Sequence, residues 1–310
     1  MKIIIYGAGV LGSYLAHALV RGGNDVTMLA RGTRIEELEN NGLVIRHALQ
    51  RKTTVDRVHV ISTLRPDDIY DLIFAVLPYS DLPAVLPALA ENQSRHLVLV
   101  GNNPDARAIQ QYLKDNNAVD KQIAFGFQLS GGRRENGRII NVSGGGRMEI
   151  GGLDGELTWR PLLEAAFQHA SYKLAFSEQI DAWLKSHIIP VLGISYATCA
   201  GNGNLQKATG DKKLLKQIIG ALDEGYRVLE TLGYPLIPAR QAQFIRQRRR
   251  LLSLLIKIYA MTPLPGLVDP MTQLDEAIAL QHAFNELKQK ANIQTPNWDA
   301  LESYLTRVQG

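Results

Sequence analysis

The N-terminal third of the chain alternates two hydrophobic patterns. KIIIYG, DVTMLA, LIFAVL and HLVLVG are short, continuously apolar runs with the length and β-branched content of buried strands. LGSYLAHALVRGG lies between the first two; its apolar positions recur every three or four residues and it stops in paired glycines, as a helix does. DLPAVLPALAEN, before the fourth run, is helix-compatible as well. Strand, helix, strand is a βαβ unit, and its repetition predicts a mainly parallel sheet. Further on, GRIINV and GRMEIGG flank Ser143-Gly144-Gly145-Gly146 and predict an added hairpin.

From about Pro161 the β-branched clusters fade and long helical periods take over, among them DKKLLKQIIGALDEGYRVLETLG and LDEAIALQHAFNELKQKAN. The pattern predicts an α/β chain of two domains. A Rossmann-type doubly wound, mainly parallel sheet covers 1–165, and a mostly helical domain covers 166–310.

One stretch of the helical half breaks its own pattern. In DAWLKSHIIPVLG, Lys185, Ile188, Ile189 and Leu192 share one helix face, so an ammonium stands on an apolar stripe. A lysine there must snorkel, pair with an anion or give up its proton more readily, and only the last two serve chemistry. Pro190 withholds a backbone N–H, which predicts a kink. His187 lies off the lysine face and reads as structural, and Trp183 reads as packing.

Composition narrows the class without changing the architecture. With 310 residues, 45% of them hydrophobic, the chain can bury a substantial core. Met1-Lys2-Ile3 runs straight toward glycines without the layout of a secretory signal, and prolines and Asp81 interrupt the longest apolar segment, so no membrane span is expected. Cys199 is the single cysteine; it reads as a buried apolar residue and fits a reducing, cytoplasmic setting. The net charge of +4 is modest and suits anionic small molecules. The densest basic cluster, IRQRRRLLSLLIK, reads as a helix with a solvated basic side and a buried or subunit-contacting apolar side, which is compatible with a homodimer. Without a recognition motif or interleaved aromatics it does not point to nucleic acid. No motif calls for a metal.

The strongest chemical signal is Gly7-Ala8-Gly9-Val10-Leu11-Gly12, a G-x-G-x-x-G loop directly after a strand and at the start of a helix. Gly7 permits the tight turn, Gly9 lets the backbone approach a pyrophosphate, and Gly12 allows close packing of helix on strand. The phosphates would meet the amides of the helix N-terminus. After the second strand, where an NAD site presents an acid, the chain reads Met28-Leu29-Ala30-Arg31-Gly32-Thr33-Arg34. A guanidinium grips a 2′-phosphate, so NADP(H) is the expected cofactor, with Arg31 as first contact and Arg34 as second. Ligands of doubly wound folds sit beyond the strand carboxyl ends, which directs Leu77-Pro78-Tyr79-Ser80 and Gly101-Asn102-Asn103 toward the nicotinamide.

In their order these features resemble the ketopantoate reductase (2-dehydropantoate 2-reductase) family over nearly the whole chain. The resemblance rests on GAGVLGS, on Arg31, on GNN, on GGRRENGRIINV, on DAWLKS, on DEGYRVLETLGYP and on Glu276, a helix's length before IQTP. It implies an NADPH-binding domain joined to a helical one. The implied activity is reduction of 2-dehydropantoate to pantoate, a step of pantothenate biosynthesis, or of a related 2-oxo acid or ketone. It implies that Lys185 is catalytic, stabilising charge on the carbonyl oxygen and supplying the proton, with a pKa lowered by burial. Glu276 is implied as the carboxylate that orients the amine, and Asn102 as a cofactor or substrate contact.

The chain departs from that family at several polar positions. A lysine expected after FAV falls at Leu77 or Pro78, and asparagines expected one and two turns beyond Lys185 fall at Ile189 and Gly193. A serine expected upstream of the glutamate has Thr262 or Leu264 nearby. These losses predict a less polar substrate than ketopantoate. The alternatives are a two-domain dehydrogenase of an opine-like or hydroxy acid, and a catalytically silent NADPH-binding sensor or scaffold, against which the retention of Lys185 argues.

Overall fold

The computed structural model describes residues 1–142, 144–262, 265 and 270–306, the side chains of 270–273 aside. It contains two compact units, Met1–Ile180 and Asp181–Gly310. The division falls later than the expected boundary at 165, because a strand at Tyr172–Phe176 still pairs with the sheet of the first unit.

The first unit begins β1 (Lys2–Tyr6), α1 (Val10–Arg21), β2 (Asp25–Leu29), α2 (Thr33–Asn41), β3 (Leu43–His47), β4 (Lys52–Asp56), β5 (His59–Ile61) and β6 (Leu72–Val76). It continues with α3 (Leu82–Glu91), β7 (His96–Val100), α4 (Ala106–Asp115), β8 (Gln122–Gln128), β9 (Gly132–Glu135), β10 (Arg138–Asn141), β11 (Gly146–Gly151), α5 (Arg160–Phe167) and β12 (Tyr172–Phe176). Eight strands form one sheet in the order β12-β11-β8-β7-β6-β1-β2-β5. Neighbours from β8 to β5 are parallel, and β11 runs against β8 with β12 beside it. The continuous apolar runs are the inner strands of this sheet, and Ile3, Ile4 and Ile5 are all fully buried. Chain order reverses about β1, with β2 on one side and β6 on the other, so the carboxyl ends of β1 and β6 flank a topological switch point.

A smaller sheet has the order β4-β3-β10-β9. It corrects the expected hairpin: β10 and β11 are both strands, but they belong to different sheets, and Ser143 between them lies outside the described residues. The hairpin is instead β9–β10, turned by Asn136 (φ 49°) and Gly137 (φ 75°), the Asn-Gly pair that suits a primed turn. Asp56 ties β4 to α1, accepting from Arg21 Nε at 2.6 Å and bonding His17 Nδ1 at 2.6 Å.

The second unit is helical: α6 (Ile180–Ala200), α7 (Leu205–Gly210), α8 (Lys212–Thr231), α9 (Ala239–Gln247), α10 (Arg249–Met261), α11 (Pro270–Ala291) and α12 (Pro296–Thr306). Helix α6 takes its first residue from the end of the first unit and continues through Pro190 as one helix. Its core gathers on Trp298, which meets Phe284 at 4.5 Å and the edge of Tyr196 at 5.4 Å between ring centres. Only glycine fits at 225, since a Cβ there would stand 2.7 Å from the Trp298 ring and 2.9 Å from Ile189. The neighbouring Glu224 is buried and accepts from the amides of Asn297 (3.2 Å) and Trp298 (2.8 Å), so a side chain of α8 caps the start of α12. No described helix is long and apolar enough to cross a membrane.

Candidate active site

The glycine loop closes the carboxyl end of β1 and opens α1. Gly7 has φ +119°, and a Cβ on it would stand 2.3 Å from the Val76 carbonyl oxygen, so the turn excludes any other residue. A Cβ on Gly12 would stand 1.9 Å from the Gly7 carbonyl oxygen, which is how tightly the helix is laid on the loop. Gly9 is different: a Cβ there would meet no protein atom within 4 Å. The bare backbone of Ala8, Gly9, Val10 and Leu11 therefore forms a cradle into which a side chain at 9 would intrude. Helix α1 has no side-chain cap and no acid in its first turn, and its first bond is Ser13 N–H to Gly9 O at 2.9 Å. Its first amides are left for an anion, and a dinucleotide pyrophosphate fits this cradle.

The two arginines after β2 have separate fates. Arg31 is exposed and donates from Nη2 to the Tyr6 hydroxyl at 3.2 Å, beside the end of β1. Arg34 is only 3% exposed and fully engaged. Its Nε donates to Ala8 O (3.2 Å), Nη2 to Ser13 Oγ (3.2 Å), and Nη1 to Gly137 O (2.8 Å) and Glu37 (3.0 Å). Burial lowers its pKa from the usual arginine value, with Glu37 opposing. This corrects the expectation of a second phosphate ligand: Arg34 locks the glycine loop to α1 and to the Asn136-Gly137 turn.

Beyond β6 and β7 the two segments expected at the nicotinamide lie against each other. A Cβ on Gly7 would also stand 3.1 Å from Leu77 Cδ2, and one on Gly101 would stand 2.6 Å from Leu77 O, so both strand ends are pressed together there. Asn102 and Asn103 are buried, and Asn103 donates to Gly101 O at 3.1 Å. Tyr79 and Ser80 form a short 3-10 turn leading into α3.

In the helical unit, Lys185 is 4% exposed. Its Nζ donates to the Asp181 carboxylate one turn earlier on α6 and lies 5.0 Å from the centre of the Tyr234 ring. Anion and ring together offset the lost hydration and fix the direction of the ammonium. Asp181 is a site residue that sequence reasoning missed, although its signal, an acid four residues before the lysine, is legible. Trp183 and His187 stack at 4.9 Å and 11° on the same helix, and burial pushes His187 down to about 4, so it stays neutral as a structural residue should. Glu276 is half-buried on α11. Cys199, expected to be buried, is half-buried, with its thiol pKa raised by desolvation.

Residues 3–155 match the family described as ketopantoate reductase PanE/ApbA. The chain carries a ketopantoate reductase family domain. An uncharacterized oxidoreductase of Bacillus subtilis, YkpB, is 27% identical over 252 residues, covering 79% of this chain and 80% of its own. A PanE/ApbA family ketopantoate reductase from Ralstonia eutropha shares the fold with a TM-score of 0.77 at 16% identity, over 99% of this chain and 98% of that one. D-mandelate dehydrogenase in its ternary structure with NADH and anilino(oxo)acetate does so at 0.76 and 17%, over 99% and 98%. The ketopantoate reductase family is one of oxidoreductases.

The positions where this ketopantoate reductase relative departs from the resemblance are packed with apolar groups. Ile189 is fully buried against Gly225. Gly193 faces Leu222, since a Cβ would stand 2.6 Å from Leu222 Cδ2, and it lines an apolar cavity of about 380 Å³ with Pro190, Ile194, Ala197 and Phe244. Thr262 donates to Tyr259 O at 2.7 Å and so closes the end of α10, while Leu264 lies outside the described residues.

Proposed function

We propose that this protein is an NADP(H)-dependent reductase that converts a 2-oxo acid, or a closely related ketone, to the corresponding alcohol. The observation that carries the reading is Lys185, an ammonium withdrawn from water and aimed by a carboxylate and a ring. The loop of Gly7, Ala8, Gly9, Val10, Leu11 and Gly12, together with Leu77 and Asn102, would hold a nicotinamide cofactor, which would supply the hydride. As the carbonyl carbon is reduced, Lys185 Nζ stabilises the charge on the oxygen and delivers the proton that completes the hydroxyl. Asp181 holds the ammonium in place, and water returns the proton to Lys185. Glu276, half-buried on α11 of the same unit, is assigned as a second carboxylate that orients the amine.

Arg31 supports NADP(H) over NAD(H): a guanidinium rather than an acid follows β2. The apolar surroundings of Ile189 and Gly193 support a 2-oxo acid with an apolar side chain, in the class of benzoylformate, the oxo acid of mandelate, with ketopantoate the alternative. The exposed row Leu251, Leu254, Leu255, Ile258 and Met261 on α10 supports a subunit contact, hence a homodimer, and the half-buried thiol of Cys199 supports a reducing cytoplasm.

The test is NADPH oxidation by the purified protein against a panel of 2-oxo acids that includes ketopantoate and benzoylformate. Substrate-dependent oxidation is expected, and its absence with every acid overturns the reductase reading. Arg31→Ala should weaken NADPH binding about tenfold and leave NADH binding unchanged; equal affinities of the parent protein for the two cofactors would refute the choice of NADP(H).

A further inference from the structure

The basic cluster at the start of α10 has no part in the reductase reading. With α8 it encloses a cavity of about 330 Å³ whose wall carries Lys212 and Lys216 from α8 and Arg249, Arg250 and Lys257 from α10. The floor is Leu215 and Ile219, both buried. Arg249 has a carboxylate partner, Asp223 Oδ2 at 3.2 Å, which it shares with Arg246. Among the described residues the other four cations make no ion pair or hydrogen bond. Lys212 and Lys216 stand four apart on α8, and Arg249, Ser253 and Lys257 fall on successive turns of α10, so both helices aim like charges at one hollow. Like charges at that spacing repel and cost stability, a cost that a bound anion removes.

We propose that this cavity binds a small phosphorylated molecule carrying at least two linked phosphates, with its apolar or ring portion over Leu215 and Ile219. The volume suits a metabolite-sized ligand. Cations converging on a concavity fit a compact polyanion better than a nucleic acid, whose backbone needs charge spread along a face. On α10 the adjoining outer face is apolar instead, at Leu251, Leu254 and Ile258. The site is independent of the reductase reading.

Calorimetric titration of the full chain with inorganic pyrophosphate, and separately with ADP, tests it. One saturable site per chain that NADPH does not displace is expected at physiological salt. The double substitution Lys216→Gln/Arg250→Gln should weaken pyrophosphate at that site at least tenfold without lowering the melting temperature, and Arg31→Ala should leave it unchanged. Absence of saturable binding overturns the proposal. So does equal affinity in the double variant, or full displacement of the pyrophosphate by NADPH, which would put the anion at the glycine loop. Capture of a duplex oligonucleotide with no pyrophosphate binding would likewise overturn it, assigning the cations to nucleic acid.

Discussion

Each unit buries one lysine almost completely, and the two differ in what receives them. Lys121, just before β8 and 3% exposed, donates to two backbone carbonyls, Asn92 O at 2.5 Å and Ser94 O at 2.9 Å. Lys185, at 4%, is received by a carboxylate and lies over a ring. Carbonyls are neutral and belong to the chain's own path, so Lys121 staples the turn after α3 to the edge of β8, and desolvation pushes its pKa down to about 8. A carboxylate is itself a charge, and Asp181 sits one turn before Lys185 on the same helix, so this ion pair is local, and the long-range neighbour of the ammonium is the Tyr234 ring. A cation buried for structure closes a loop through neutral carbonyls; one paired with an anion on its own helix and set over a ring points to chemistry. Burial by itself does not separate the two.

The largest expected effect tests the chemical lysine. Lys185→Ala should lower kcat about 10³-fold, roughly 4 kcal/mol of barrier, while NADPH still binds. Lys185→Arg keeps the charge and the Asp181 pair but holds its proton at any working pH, so turnover should fall nearly as far with the fold unchanged. Activity retained in either variant would make the two lysines alike. Next comes Lys121→Met, which strands two buried carbonyls and should cost about 3 kcal/mol of stability, read by urea unfolding, with kcat per folded molecule unaltered.

How far the sequence announces these arrangements depends on whether the deciding contact is local. Strands buried on both faces must be apolar throughout, so the inner strands from β1 to β7 are readable, and the glycine loop is readable because its constraints lie within six residues. Strands β4 (KTTVD) and β9 (GRRE) are polar edge strands, each held only by the adjacent strand of its own hairpin, β3 and β10, so no apolar run marks them. The misplaced hairpin has a plain cause: glycines at 144–146 looked like a turn, while Asn136-Gly137, the stronger turn signal, set the actual one. Arg31 and Arg34 are three residues apart and look equivalent until Gly137, more than a hundred residues away, arrives to bond one of them. Asp181 is readable from spacing alone. Tyr234 is not, because it reaches Lys185 from the loop that follows α8, far along the chain.

The smallest effect is a pH dependence that follows from the neutral partners of Lys121. In the unfolded chain a lysine keeps its proton to about pH 10.4, whereas in the folded unit Lys121 releases it near 8. Between those values the unfolded state binds more protons, so stability rises with pH over that window and is lost as pH falls back through 8. Other lysines and tyrosines titrate in the same range, and comparison with Lys121→Met removes them. From pH 7.5 to 9.5 the stability gap between parent and variant should widen by about 2 kcal/mol. A gap for Lys121 that stays constant over that range would mean that its carbonyl partners hold the ammonium as firmly as water does. The contrast between the two lysines would then rest on kinetics alone.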